Sequence, residues 1–436
     1  MAVEADGVPT VAVHTQPFAR LARQSARTNG TPTLRQAFVP QPVVGVPPEQ
    51  LRAYIDGPDP VSKRPFIREL LEGLTGELTA EDLAGVSFER DTPRLLDPAD
   101  EDSLHQLFEQ NRWTDYMPVV LPTEERVQAM LRGTSRKPDE IVGQLRPANF
   151  REFWQFTVEK VAVNAVMAGA RPEYFPLILA MAASGMTARS SSTTSWAAPA
   201  IVNGPIRHEI GMNSGIGAMG PYSHANTAVG RAYGLLSQNL QGGSVIGETY
   251  MGSIGNVYNY ACTWAENEER SPWEPLHVQR GFKAEDSTVT LYLGGWYTIS
   301  GFGTRETWQE RFRRSLAACE TYSPPIVLLD PIAARELVDK GFQTKQQLVE
   351  WLADNARLTA REYWDDQWVR TLIKPHAEAG VEPWASMLKA APDEVVRKYR
   401  PEDISVVVMG GETQAAWKMV GGSLGRAKTV KVDDWR

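Results

Sequence analysis

Short apolar runs of strand length alternate with amphipathic helical patterns at both ends of this chain, and that alternation restricts the fold more than any other feature. Near the start, Val8 to Val13 is an apolar run. It passes through the turn Thr15-Gln16-Pro17-Phe18 into a helical pattern from Leu21 and Ala22 toward Arg27. Ala37 to Val44, broken by Pro40 and Pro42, is a second and shorter extended piece, and Pro47-Pro48-Glu49 opens another helix. Toward the C-terminus, Ile326 to Leu329 reads as a buried strand and Pro331 to Lys340 as a helix stopped by Gly341. Thr344 with Gln347 three residues on caps a helix reaching Asn355, and Ile404 to Met409 is a strand ending at Gly410-Gly411. Strand and helix in alternation are the pattern of layered sheets flanked by helices, an α/β architecture.

The chain has 436 residues, and single cores stop growing near roughly 250–300. Several domains are therefore expected. Residues 1–55 read as a partial α/β segment and 56–148 as a Pro-rich, charged covering or linking region. Residues 149–320 read as a Gly/Asn-rich active-site domain, and 321–436 as a C-terminal α/β region with a helical insertion carrying Trp364, Trp368 and Trp384. Those tryptophans are expected to pack against the body or a subunit, with a stacking platform for substrate as the other reading. Two extended pieces do not make a stable sheet alone. The missing strands of the first layer are expected from later in the chain or from a second chain.

The net charge of −8 supplies no field for a polyanion, so nucleic acid is not an expected partner. No apolar run approaches the roughly 20 residues of a membrane helix, and Glu4 and Asp6 stand where a secretory signal needs positive charge. A cytoplasmic protein without a membrane partner is expected. Cys262 and Cys319 are read as free thiols, and His208 and His224 have no second ligand at metal-binding spacing, so no metal site is predicted. The sequence leaves any other cofactor unknown.

Three clusters can carry chemistry. The densest runs from Asn203-Gly204-Pro205 through Met212-Asn213-Ser214-Gly215 to His224-Ala225-Asn226, which opens a helix containing Arg231. Glycines let backbone approach a ligand, and a helix N-terminus favours anionic or carbonyl groups. Asn203, Asn213, Ser214, Gly215, His224, Asn226 and Arg231 are therefore candidate substrate-binding residues for an oxyanion or carboxylate; an irregular buried connection is the other reading. In the second cluster Lys160 and Asn164 share a helix face, and Arg171 and Glu173 stand at a Gly-Ala-Arg-Pro corner with Tyr174. They form either a binding wall or structural ion pairs. In the third, Glu266-Asn267-Glu268-Glu269-Arg270-Ser271-Pro272-Trp273 groups carboxylates beside an aromatic, so one of them can serve as acid or base unless the loop is simply solvated. Glu173 and Glu266 are the candidate catalytic carboxylates. The Ser190 to Ser195 run reads as a loop.

The stretches Glu159 to Gly169, Arg171 to Pro176, Val202 to Pro205, Asn213 to Gly215, and Glu266 to Glu268 through Ser271 to Trp273 resemble the bacterial UGSC (seleno)protein family, named for a selenocysteine or cysteine beside Gly-Ser-Cys. A weaker likeness covers Pro331 to Arg357 and the strand ending at Gly410-Gly411. The resemblance implies thiol or selenol redox chemistry. Two departures accompany it: Ala170 stands where the family pattern has Cys, and the redox motif that precedes a strand like Val8 to Thr15 is not in this sequence. The expectation is the large subunit of a heteromeric enzyme, working on a small-molecule substrate with a small protein subunit that carries the Cys or selenocysteine motif. A hydrolase, hydratase or cyclase, or a non-catalytic scaffold subunit, is the alternative.

Overall fold

A computed structural model of the chain describes residues 8–28, 33–43, 46–77, 80, 94–145, 154–186, 198–220, 222–241, 252, 262–295, 297–422 and 427–436. The chain is mixed α/β and multi-domain, with several small sheets. Its contacts divide it into two compact units. The first comprises residues 1–100, 146–154 and 241–251, and the second the remainder. The Ser190 to Ser195 run lies outside the described residues, as does the end of the Gly/Ser-rich stretch from 242 to 251.

In the first unit β1 (Ala12–Thr15), α1 (Ala19–Thr28) and β2 (Gln36–Val39) form one parallel βαβ turn, registered Ala12 to Gln36 and Thr15 to Val39. Both strands are shorter than their apolar runs. Pro9 and Pro40 lack the N–H that a ladder needs, so pairing begins after the first and stops before the second. Helices α2 (Pro48–Asp56) and α3 (Phe66–Thr75) follow, and Ala37, Val39 and Phe66 make a small core. Buried Asp59 ties β2 down by accepting from Phe38 N–H at 2.6 Å and from Val61 N–H at 2.7 Å. Val13 of β1 remains 48 % exposed, so this strand has little cover of its own.

The second unit opens with α4 (Glu101–Gln110) and α5 (Glu124–Leu131), the latter capped by Thr123 Oγ accepting from Arg126 N–H at 3.4 Å. β3 (Ile141–Leu145) and β4 (Trp154–Thr157) pair as a two-stranded sheet. The apolar segment beyond them forms α6 (Val158–Met167) and α7 (Phe175–Ala183), broken at Gly169, whose φ of +75° suits a residue without Cβ. Helix α7 is apolar all round and buried from Phe175 to Ala182. After β5 (Ala200–Asn203) and the single turn α8 (Ile206–Glu209) comes α9 (His224–Gln241), whose Val229, Ala232, Tyr233 and Leu236 enter the same core. Each fully buried Val or Leu side chain among them contributes roughly 1.5–3 kcal/mol.

Two four-stranded sheets carry the rest. One has the order β14-β7-β5-β6, from β6 (Thr263–Ala265), β7 (Thr288–Leu291) and β14 (Lys428–Lys431), with β5 and β6 parallel. The other has the order β12-β9-β13-β8, from β8 (Thr298–Phe302), β9 (Pro325–Leu329), β12 (Ser405–Val408) and β13 (Ala416–Gly421), with β9 and β12 parallel. Asn267 N–H donates to Val408 C=O at 2.8 Å and joins the end of β6 to the end of β12. One core of Ile201, Trp264, Ile326, Leu328 and Val407 spans strands of both sheets.

After the short α10 (Leu276–Gln279), helices α11 (Trp308–Ala318), α12 (Pro331–Asp339) and α13 (Lys345–Asn355) cover the second sheet through Phe312, Leu316, Leu337, Leu348 and Leu352. The expected cap of α13 is a full capping box between Thr344 and Gln347. The 357–403 segment forms β10 (Arg357–Thr359), α14 (Ala360–Asp365), a π-helical turn (Val369–Ile373), α15 (Lys374–Glu378), α16 (Trp384–Leu388) and β11 (Val395–Arg397). Trp364 and Trp384 pack there on Tyr363, Val369 and Val396, as anchors of a small core, while Trp368 stacks on Tyr322.

Candidate functional site at the strand ends

The parallel strands deliver polar residues at their carboxyl ends. β5 ends in Asn203, β6 runs into Glu266, β9 into Asp330, and β12 into Met409-Gly410. In open α/β sheets this is the edge where ligands bind. Glu266 is fully buried and both of its oxygens are occupied. One accepts from Lys345 Nζ at 2.6 Å and Val408 N–H at 3.4 Å. The other accepts from Asn203 Nδ2 at 2.7 Å and Leu276 N–H at 2.8 Å. Lys345, in the first turn of α13, is equally buried, so the ion pair has no contact with solvent. Glu266 thus forms the frame of the site.

The turn after β5 builds the next layer. Gly204 has φ +83°, and a Cβ there would lie 2.1 Å from the Asp286 carbonyl oxygen, so no other residue fits without displacing backbone. Its N–H and Asn203 Nδ2 both donate to Glu268 Oε1, at 2.8 and 2.9 Å. Buried Arg207 binds the same acidic loop through Glu266 C=O at 2.6 Å, Glu268 at 3.0 Å and Glu269 at 2.9 Å. The Arg207 guanidinium and then His208 hold the Glu269 carboxyl down to about 2, against the desolvation that opposes them.

The Gly-rich loop docks on this frame through Gly410. Ser214 C=O accepts from Gly410 N–H at 2.9 Å, and Gly410 C=O accepts from Asn267 Nδ2 at 3.0 Å. Asn213 and Asn226 exchange two hydrogen bonds of 3.0 Å, and Asn213 Oδ1 accepts from Gly215 N–H at 2.9 Å. A Cβ on Gly411 would approach Ile216 N to 2.6 Å, so the loop sits directly on the strand end. Beyond it Glu412 holds φ +59°, an unusual backbone for a non-glycine residue. Its N–H donates to Asp330 at 3.0 Å, and its carboxylate pairs with Arg335 at 2.6 Å and Arg270 at 3.3 Å. The solvent side of the site therefore presents Glu268, Glu412, Arg270, Arg335 and Ser214 over the buried ion pair.

Of the residues singled out from sequence, Asn203, Asn213, Ser214, Gly215, Asn226 and Glu266 come together here. The others lie elsewhere. Arg231 is bidentate to Asp115 at 2.9 and 3.0 Å and reaches Met117 and Pro118 carbonyls, which ties loop 115–118 to α9. Asn164 receives Asn239 Nδ2 at 2.8 Å between α6 and α9. His224 Nδ1 meets Tyr174 OH at 3.1 Å at the start of α9. Lys160 is exposed on α6, and Arg171 and Glu173 are exposed at the corner before α7, 4.0 Å apart. Sequence reasoning missed Arg207 and Lys345. Arg207 carried a signal, four residues past Asn203 and after a Gly-Pro turn; Lys345 resembled any surface lysine opening a helix.

Neither cysteine is poised as a nucleophile. Burial pushes the Cys262 thiol up to about 12 and the Cys319 thiol up to about 11, while thiolate is the reactive form. Iodoacetamide at pH 7.5 is expected to label both cysteines at least roughly tenfold more slowly in the folded protein than in denaturant; equal rates read by intact-mass spectrometry would contradict the burial argument. Among the described residues no group of three or more His, Cys, Asp and Glu side chains is arranged to hold a metal ion, and no helix is long and apolar enough to cross a membrane.

A model of the UGSC family matches residues 1–57, which hold β1, α1, β2 and α2. The match is consistent with a UGSC-family protein and does not extend to the rest of the chain, the strand-end site included. No curated protein matches the chain.

Proposed function

We propose that this chain is the large subunit of an enzyme that acts on a small polar organic substrate at the strand ends, with a small second chain supplying the thiol or selenol for redox chemistry. The observation that carries this reading is the convergence of Asn203, Glu266, Asp330 and Gly410 from four strand ends beneath one Gly-rich loop. Such an edge of an α/β sheet is the usual seat of a ligand. The role of each group follows from its access. Glu266 and Lys345, out of reach of solvent, fix the geometry. Glu268, only 13 % exposed and hydrogen-bonded by Asn203 and Gly204, is the acid/base group in this reading. Arg270 and Arg335, oriented by Glu412, offer guanidinium groups to a substrate carboxylate.

The external thiol is supported by the family match over residues 1–57 together with two cysteines that burial keeps protonated. The test is native mass spectrometry of the tagged protein purified from its own source, followed by maleimide labelling. The expected species is a stoichiometric complex whose small chain carries the labelled Cys or selenocysteine. A homomeric species without such a chain would discard the redox reading in favour of hydrolysis, hydration or cyclisation with Glu268 as acid/base.

A further inference from the structure

The 357–403 segment carries a cleft apart from the strand ends. It measures about 1030 Å³ and opens against the turn at Thr321 to Pro324. Trp384 and Met387 of α16, Val369, Leu372 and Ile373 of the π-helical turn, and Tyr322 supply its apolar walls. π-helical turns are rare and concentrate at functional sites. This one closes with Lys374 N–H donating to Val369 C=O, and Pro375 has no N–H with which to resume the α pattern. Leu372 and Val381 stand 37 % and 40 % exposed on the cleft, a cost in apolar surface that no neighbouring side chain removes.

The charges around the cleft sum to zero, with Arg357, Arg397, Lys398 and Arg400 set against Asp354, Glu382, Glu402 and Asp403. Arg400 is bidentate to Asp403, both bonds 2.7 Å, and lies 5.0 Å over the Trp384 ring. Arg357 and Arg397 share Asp354. Lys398 donates to the carbonyls of Leu316 and Ala317, both at 3.1 Å, and to that of Cys319. A ligand here meets ring faces, a thioether and methyl groups in a lining without net charge, which favours an uncharged molecule with a π surface. The volume lies at the upper limit of small-molecule sites, roughly 300–1,000 Å³, and leaves ample room for a fused-ring ligand.

We propose that this cleft binds an uncharged planar aromatic small molecule against the apolar wall that Trp384, Tyr322 and the π-helical turn form together. Titration of the full chain with 1-aminoanthracene, followed by probe emission and by quenching of tryptophan fluorescence, tests it. One saturable equivalent per chain is expected. Leu372→Glu and Val381→Glu place a carboxylate on the apolar wall and are expected to weaken the affinity roughly tenfold or more at an unchanged thermal midpoint. Should either charged variant fail to fold, Leu372→Trp, which fills the cleft without charge, must give the same loss. Emission that never saturates, or equal affinity in wild type and the folded variants, overturns the proposal.

Discussion

Lys345→Met is expected to lower the unfolding free energy by about 3–5 kcal/mol. The side chain is fully buried and its ammonium lies 2.6 Å from an equally buried Glu266 carboxylate. Removing the cation leaves the anion in a low-dielectric interior with only Asn203 Nδ2 and two backbone N–H groups to compensate. Paired buried ions contribute little net stability, whereas a single buried ion is costly. The double variant Lys345→Met with Glu266→Gln is therefore expected to recover part of the loss. Urea denaturation of the three proteins decides it. A single variant as stable as wild type, or a double variant no more stable than Lys345→Met alone, would mean that the pair is not enclosed as described.

The double variant also separates framing from chemistry. Glu266 meets every geometric demand of a positioned group, since it binds strand, helix and loop at once, yet nothing reaches it from solvent. A carboxylate that exchanges protons with substrate needs access. Glu268 retains some, and it is oriented by the same Asn203 amide that bonds Glu266. The site is thus two carboxylates deep, with the inner one setting the outer.

Much of this arrangement was legible in the sequence, and the limits have physical causes. β9 and β12 are apolar, β-branched runs ended by Asp or Gly, so pattern alone locates them. β13, Ala416 to Gly421, was missed because Lys418 interrupts its apolar character; the lysine tolerates the strand by donating to Ser300 across to β8 at 2.6 Å. The Asn213 loop and the acidic loop were found by composition, because glycine and paired polar residues mark places where backbone must be satisfied by side chains. Residue type groups Arg231 with the Asn213 loop and Asn164 with Lys160 and Arg171, but helix α9 turns its Arg231, Gln238 and Asn239 toward loop 112–118, and Asn239 also bonds Asn164. Periodicity indicates that a helix has a polar face and not what that face meets. Lys345 needed tertiary structure altogether, since its partner is 79 residues away.

The same frame predicts a pH-dependent defect for Asn203→Asp. Wild-type Asn203 Nδ2 donates to Glu266 at 2.7 Å and to Glu268 at 2.9 Å, and two flanking carboxylates fix the amide in that orientation because the reverse would oppose oxygen to oxygen. Aspartate of the same shape removes both charge-assisted bonds, worth about 1.5–3 kcal/mol each, and sets a third carboxylate beside the other two. The expected destabilisation at pH 7 is about 3–6 kcal/mol. Burial and like charge both raise the new carboxyl above its ordinary value of roughly 3.9, so the folded variant binds a proton more readily than the unfolded chain. Stability then rises as the proton goes on. The gap between variant and wild type is greatest above the raised folded pKa, narrows as pH falls through it, and ceases to narrow below about 3.9. Urea midpoints of both proteins measured from pH 8 down to pH 5 read this directly; a gap that is small at pH 7, or that stays constant over the range, would show that Asn203 does not bridge the two carboxylates and that the strand ends do not form one site.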